Sequence, residues 1–392
     1  MSTPSTLSAP STAGRRVPLD NGGGAPLHPL ARTALLQATD DGWADPRRLH
    51  AEGRRAAALL WGARESLAAS LGARTEEIEI LPSHTAALHA AVLAVRAGRR
   101  RAGRAVVVPA VERAAVHHAA VHPLPDLPGE ARPVAVDRHG RVDIDGFRDA
   151  VGAGDVALAC LQSANGEVGT RQPVTEAAEA CAAAQVPLLV DAGSSLGHDP
   201  VPTGWDVLAA DPADWGAPRG TGVLAVRRRV RTRPTWPEDE DRWAPGGPNV
   251  PAALAAAVAL EAVARDREAE ARRRSELVDR VRAAAAQIPD TEVVGDPVDR
   301  LPHAVTFSFL YVDGEALVGE LDRAGFGVGS GSACTSGTLE PSHVLAAMGV
   351  LTHGNVRIAL DRTTTEDDVD RFVAVLPGAV ERVRAFLGAR GL

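Results

Sequence analysis

VALACLQSANGEVGTRQPVTEAAEACAAAQVPLLVDAG, residues Val156 to Gly193, is the stretch that decides the fold. Val156–Leu161 is a short apolar run of strand length, Thr175–Ala184 carries a helical pattern, and Val186–Val190 is a strand again. Strands separated by helical patterns argue for a mostly parallel sheet with helices on both faces. The same alternation extends upstream. Arg47–Leu71 has apolar residues at three- and four-residue spacing, which predicts a helix. Ile78–Leu81 reads as a strand, and Ser83 is placed to cap a helix over Thr85–Ala97. Strands Ala105–Val108 and Pro133–Val136 and a helix near Phe147–Val151 follow. Downstream, Val207–Ala209 and Gly222–Val226 are further extended stretches.

The pattern changes at Pro251, where an alanine-rich helical stretch runs to Ala285 and suits a connector between domains. Beyond it come strand Ala304–Phe309, helix Glu315–Ala324, a Gly/Ser loop, strand Asn355–Leu360 and a terminal helix opening at Thr364. The expected organisation is a disordered tail over 1–16, rich in Ser, Thr, Pro and Ala, then a large three-layer α/β domain over 17–250, then a small α+β domain over 251–392. No internal repeat marks a solenoid.

With 392 residues and a formal net charge of -8, the chain is no general nucleic-acid binder. Its arginine runs, Arg99–Arg101 and Arg227–Arg229, lack interleaved aromatic residues and read as solvated surface. Three widely spaced cysteines, Cys160, Cys181 and Cys334, give neither a disulfide framework nor a zinc spacing and fit a reducing cytosol. The pairs His117–His118 and His84/His89 match no zinc pattern, so no metal is expected. No apolar run reaches the ~18 residues of a membrane span, and the expected location is cytoplasmic. All 42 basic residues counted as Lys or Arg are arginine; the sequence contains no lysine.

Gly329-Ser-Gly-Ser-Ala-Cys334-Thr-Ser-Gly337 surrounds one thiol with small residues, so its sulfur is able to approach a partner closely. Hydroxyls and backbone amides nearby favour the nucleophilic thiolate. This loop, with Leu339–Ser342, resembles the active-cysteine loop of the cysteine desulfurases, class-V aminotransferases of fold type I that use pyridoxal phosphate. His353–Ile358 is similar to the strand bearing the arginine that binds the substrate carboxylate, which assigns that role to Arg357. Thr363–Val369 resembles the start of the last helix, and Val17–Asn21 the opening strand. Ile80–Thr85 stands at the phosphate-binding turn, with Thr85 kept and Ser83–His84 in place of a small pair. Asn165–Gly169 is similar to the loop beside the cofactor ring, and Asn165 is assigned to substrate binding. Val190–Ala192 resembles the strand whose aspartate, here Asp191, pairs with the pyridinium nitrogen.

Departures fall at the chemically demanding positions. By the resemblance, Asp214 sits where the Schiff-base lysine belongs, and Asp211 replaces a serine that bonds the phosphate. Arg113 replaces the histidine that stacks on the ring, Ser194 a glutamine at the ring hydroxyl, and Gly247 a threonine reaching the neighbouring subunit. Covalent pyridoxal phosphate binding is therefore expected to be lost. The resemblance leaves three readings: a non-catalytic or regulatory homologue, a sulfur carrier through Cys334, or an enzyme holding the cofactor non-covalently with Asp214 or His84 moving protons. It implies a homodimer or a heterodimer with a related desulfurase, and a sulfur-acceptor protein as partner.

Overall fold

The computed structural model describes residues 15–22, 24–233, 235–236, 241–330 and 341–388. Its strands in chain order are β1 (Val17–Pro18), β2 (Ile78–Leu81), β3 (Ala105–Pro109), β4 (Glu130–Val134), β5 (Val156–Gln162), β6 (Leu188–Asp191), β7 (Val207–Ala210), β8 (Gly222–Val226), β9 (Thr291–Val294), β10 (Ala304–Phe309), β11 (Phe326–Gly327) and β12 (Asn355–Ala359). The main sheet has seven strands in the order β2-β8-β7-β6-β5-β3-β4. Every pairing from β7 through to β4 is parallel, while β8 runs antiparallel to both its neighbours. The fold is thus α/β with a mostly parallel sheet. β3 and β5 are buried at every position, as strands covered by helices on both faces must be.

Helix boundaries follow local chemistry. The helix read from Arg47 begins instead at Ala51. Asp45 accepts a hydrogen bond from the Arg47 amide and holds a turn there, and His50 caps the helix by accepting from Gly53 N. Ser83 Oγ accepts from Ala86 N and starts helix His84–Arg99. The edge strand β4 lies at Glu130–Val134, upstream of the expected Pro133–Val136. Helices Pro29–Asp41, Ala114–Val121 and His343–Met348 had no counterpart in the sequence pattern.

A smaller antiparallel sheet, β12-β10-β9, carries the second core. The long helix Val250–Ala285 joins the two cores: Val250–Val263 packs under the main sheet, and Leu277–Ala285 packs with Phe307, Phe309 and Phe372. Val17 and Leu19 belong to this second cluster, because β1 pairs parallel with β11. Turns leaving β2, β3, β5, β6 and β7 converge at the carboxyl ends of the strands, where open α/β sheets present their sites.

Candidate functional site

Asp191, the last residue of β6, is 2% exposed and is the hub of the site. Its Oδ1 accepts from Gly193 N at 2.8 Å and lies 2.9 Å from His84 Nε2; its Oδ2 accepts from Arg113 Nε at 2.8 Å. Burial alone would raise its pKa. The His84 ring, Arg113 and the Gly193 amide outweigh that and hold the carboxyl far below the usual range. Glycine at 193 makes this possible, since a Cβ there would lie 2.3 Å from His84 Cε1. Arg113 Nη2 also donates to Ser194 Oγ at 2.5 Å. Burial works against the Arg113 charge, but the field of Asp191, Asp211 and Asp214 more than offsets it. The guanidinium is paired with Asp191 and lies in the field of Asp211 and Asp214.

Asp211 and Asp214 lie on a 3-10 turn, Pro212–Trp215, that leaves β7. Trp215 Nε1 donates to Ala256 O of the long helix at 3.0 Å, and Asp211 Oδ1 caps the turn by accepting from Ala213 N. Burial raises the Asp211 carboxyl. Asp214 turns away from this face toward His198, whose Nε2 lies 3.0 Å from Asp214 Oδ2. Arg274 Nη1, 3.0 Å from His198 Nδ1, has only protons to give. Nδ1 is therefore the acceptor and Nε2 carries the proton donated to Asp214. His303 stacks on His198 with ring centres 3.7 Å apart, and burial holds both imidazoles well below their ordinary range. Among the described residues, His198, Asp214 and His303 place possible ligand atoms within 4.8 Å of one another. A metal there would have to break the Arg274 or Asp214 contact, because His198 has no spare lone pair.

Arg357 on β12 faces the amino-terminal strand, with Nη2 donating to Asp20 Oδ1 at 2.8 Å and a buried Nε without a partner. Gly22 allows this approach; a Cβ there would lie 3.2 Å from Arg357 Cζ. Gly329 exchanges both backbone hydrogen bonds with Arg357, and Ser342 Oγ donates to Glu167 Oε2 at 2.9 Å. The described residues on either side of the cysteine loop are thus tied to the Arg357 strand and to the Asn165 loop. Cys334 itself lies outside the described residues. Cys160 and Cys181 are buried free thiols, and burial pushes the Cys181 thiol up to about 12.

Asn165 organises the start of its own loop. Its Oδ1 accepts from the Glu167 and Val168 amides and its Nδ2 donates to Val111 O, so the amide builds its own turn. Thr85 is exposed on the first turn of its helix. Arg113 is the ion-pair partner of Asp191. The sequence reading missed His198, His303, Arg274, Glu112 and Glu167. A buried acid directly ahead of Arg113 and another inside the Asn165 loop were the available signals for the two glutamates. Burial pushes Glu112 up to about 8 and Glu167 up to about 7.

Glu167 yields a pH prediction. The folded protein holds this proton more tightly than the unfolded chain, so its stabilising effect is full below the ordinary value of 4.5 and is lost as pH rises through about 7. Glu112 acts in the same direction up to about 8. In denaturant unfolding at about pH 5.5 and pH 8.5, the contribution of these two carboxyls should be smaller at the higher pH. The buried neutral His198 and His303 oppose this difference, which is therefore read by comparing variant with parent. Glu167→Gln should remove on the order of 1–2 kcal/mol of that difference. An unchanged difference would mean that Glu167 is ionised in the folded state at both pH values.

The chain matches the class-V aminotransferase family over residues 17–372. A cysteine desulfurase of Trichormus azollae is 34% identical over 381 residues, covering 94% of this chain and 93% of its own length. The cysteine desulfurase IscS of Methanosarcina thermophila is 31% identical over 382 residues, covering 95% and 94%. A NifS-like protein of known structure superposes with a TM-score of 0.84 at 23% identity, covering 93% of this chain and 98% of its own. The chain belongs to the class-V aminotransferases, on their cysteine desulfurase branch. No helix among the described residues is long and apolar enough to cross a membrane.

That family works with pyridoxal phosphate, which needs an open carboxylate for its ring nitrogen, space for the ring, and donors for its phosphate. The residues present do not fit it. Asp191 Oδ2 is taken by Arg113, Arg113 also donates to Ser194, and Asp211 adds a carboxylate where the resemblance places the phosphate.

Proposed function

We propose that this chain is a sulfur carrier of the cysteine desulfurase branch, loading sulfane sulfur on Cys334 without an imine-bound cofactor. The observation that carries this reading is the absence of any lysine from the sequence. The side-chain amine on which the family builds its resting imine does not exist here. Closure of Asp191 by Arg113 and His84 supports the same reading.

The chemistry is thiol exchange. The Cys334 thiolate attacks the outer sulfur of a persulfide, R–S–SH; the S–S bond breaks, the new Cys334–SSH forms, and R–S⁻ leaves with the electron pair. No external oxidant or reductant is needed. With cysteine persulfide as donor, Arg357 pairs with the α-carboxylate after exchanging Asp20 for it. A reducing cytosol and a paired assembly, with itself or with a related desulfurase, belong to this reading.

The test incubates the chain with an active desulfurase and cysteine, without adding pyridoxal phosphate to the chain, and reads each cysteine by mass spectrometry. Cys334 should gain one sulfur atom and should alkylate at least tenfold faster than the buried Cys160 and Cys181. An unmodified Cys334 beside a loaded control acceptor would leave only a scaffolding role. The desulfurase relatives favour a second reading, turnover of cysteine with non-covalently held cofactor. Alanine released by the purified chain from cysteine plus pyridoxal phosphate, above a protein-free control, would put that reading first.

A further inference from the structure

Arg357 already holds a carboxylate, and it is the chain's own. Its Nη2 donates to Asp20 Oδ1 at 2.8 Å, a charge-assisted contact, and Asp20 is its one ion-pair partner among the described residues. Glu167 also feels the Arg357 charge, but its Oε2 accepts from Ser342.

The backbone is stitched down on both sides of Asp20. Leu19 O accepts from Ala359 N at 2.7 Å, Asn21 N donates to Ala359 O at 3.2 Å, and Leu19 N donates to Gly327 O at 2.6 Å. Asn21 Nδ2 adds a second bond to Ala359 O at 3.1 Å. These bonds keep the Asp20 backbone beside β12, so its carboxylate leaves Arg357 only by turning about its own side-chain bonds. The carboxylate also has a seat. A Cβ on Gly329 would lie 2.5 Å from Asp20 Oδ1 and 2.9 Å from its Cγ, and Gly329 exchanges both backbone hydrogen bonds with Arg357. A side chain at 329 would strike the carboxylate where it meets the guanidinium. Exposure is uneven: the Asp20 side chain is 41% exposed and that of Arg357 17%. A displaced Asp20 returns to water, whereas a vacated guanidinium in its more buried setting calls for another anion.

We infer that Asp20 is a tethered competitor for the anion site of Arg357, and that Gly329 is the gap that seats it. The inference rests on the reading of Arg357 as the carboxylate-binding residue and adds the control of that site. An incoming carboxylate binds only the fraction of molecules in which Asp20 has turned away, and its apparent affinity is lowered by that fraction. A tethered group acts at an effective concentration on the order of millimolar, so Asp20 screens Arg357 from dilute carboxylates. If Asp20 is engaged about nine-tenths of the time, its removal gains about tenfold in affinity.

Ligand-observed NMR titration of the full chain with S-methyl-L-cysteine tests this without sulfur transfer, since that probe carries the carboxylate and no thiol. Its carboxamide is the control. Asp20→Asn should tighten binding of the acid about tenfold and leave the carboxamide unchanged. Gly329→Ala keeps the Asp20 charge but removes its seat, and should tighten binding in the same direction. Arg357→Gln should lose the binding, alone and combined with Asp20→Asn. If Asp20 serves the fold only, Asp20→Asn will lower the Tm with no gain in affinity. Unchanged or weaker binding in Asp20→Asn overturns the inference, as does the same result in Gly329→Ala should Asp20→Asn not fold, or an equal gain for the carboxamide. If Arg357→Gln still loses the parent's binding, the reading of Arg357 then stands without it. A gain in Asp20→Asn with none in folded Gly329→Ala overturns the role given to Gly329. Binding that survives Arg357→Gln, or no binding in any form, removes Arg357 from donor recognition and the inference with it.

Discussion

Arg113→Met should cost the protein about 2–4 kcal/mol at neutral pH, toward the lower end of what breaking a buried ion pair removes. Arg113 donates to Asp191 and Ser194 and lies in the field of Asp211 and Asp214. The guanidinium side chain is 37% exposed, and solvent screening trims the full buried-pair value. Methionine preserves the length and the apolar stem, so the loss reports charge and hydrogen bonding and not a cavity. Asp191 has a depressed pKa, so the stability it contributes is present above its ordinary value of 3.8 and lost as pH falls through the folded one. The variant's deficit should therefore be large at pH 7 and shrink below about pH 4. Denaturant titration at both values checks this; equal deficits would mean that Arg113 acts by packing.

Asp214→Lys should not restore a desulfurase. Asp214 is 2% exposed and accepts from His198, whose other nitrogen accepts from Arg274. An ammonium there loses the acceptor, leaves the His198 proton unpaired and stands near Arg274 and Arg113, which both feel the Asp214 charge. Changing an anion to a cation in this setting should cost about 3–5 kcal/mol. Covalent cofactor capture by the variant should stay well below one equivalent, because Arg113 still occupies Asp191 and Asp211 is unchanged. Thermal unfolding and borohydride trapping with pyridoxal phosphate read the two effects separately. A variant as stable as the parent that captures a full equivalent would show that Asp214 alone separates this chain from its relatives.

Much of the fold was legible because β5, helix Val174–Ala184 and β6 present long apolar runs divided by a clear helical period. Helix Pro29–Asp41 was not, since it buries only Ala31, Ala34 and Ala38, small residues that make a faint stripe. The candidate positions around Asp191 were legible through their resemblance to motif segments. Where their side chains go was not: Arg113 reads as a substitution at a stacking position, and only its contacts with Asp191 and Ser194, 78 and 81 residues from it in sequence, define its role. His198, His303 and Arg274 come from a loop, the residue before β10 and the long helix, and no local pattern joins them. Asn165 was legible as a residue of a loop, but not that its Oδ1 accepts from two amides of that loop while its Nδ2 donates to Val111 O.

The most direct measurement incubates the unmodified, folded chain with excess pyridoxal phosphate and reduces it with borohydride. Absorbance is followed before reduction, and the intact mass and peptide map are read afterwards. The account predicts the spectrum of free aldehyde and no stable, site-specific cofactor adduct, because the chain has no lysine and Arg113 holds Asp191. A stoichiometric, site-specific adduct formed only by the folded protein, at the amino terminus reaching into the Asp191 pocket, would contradict it.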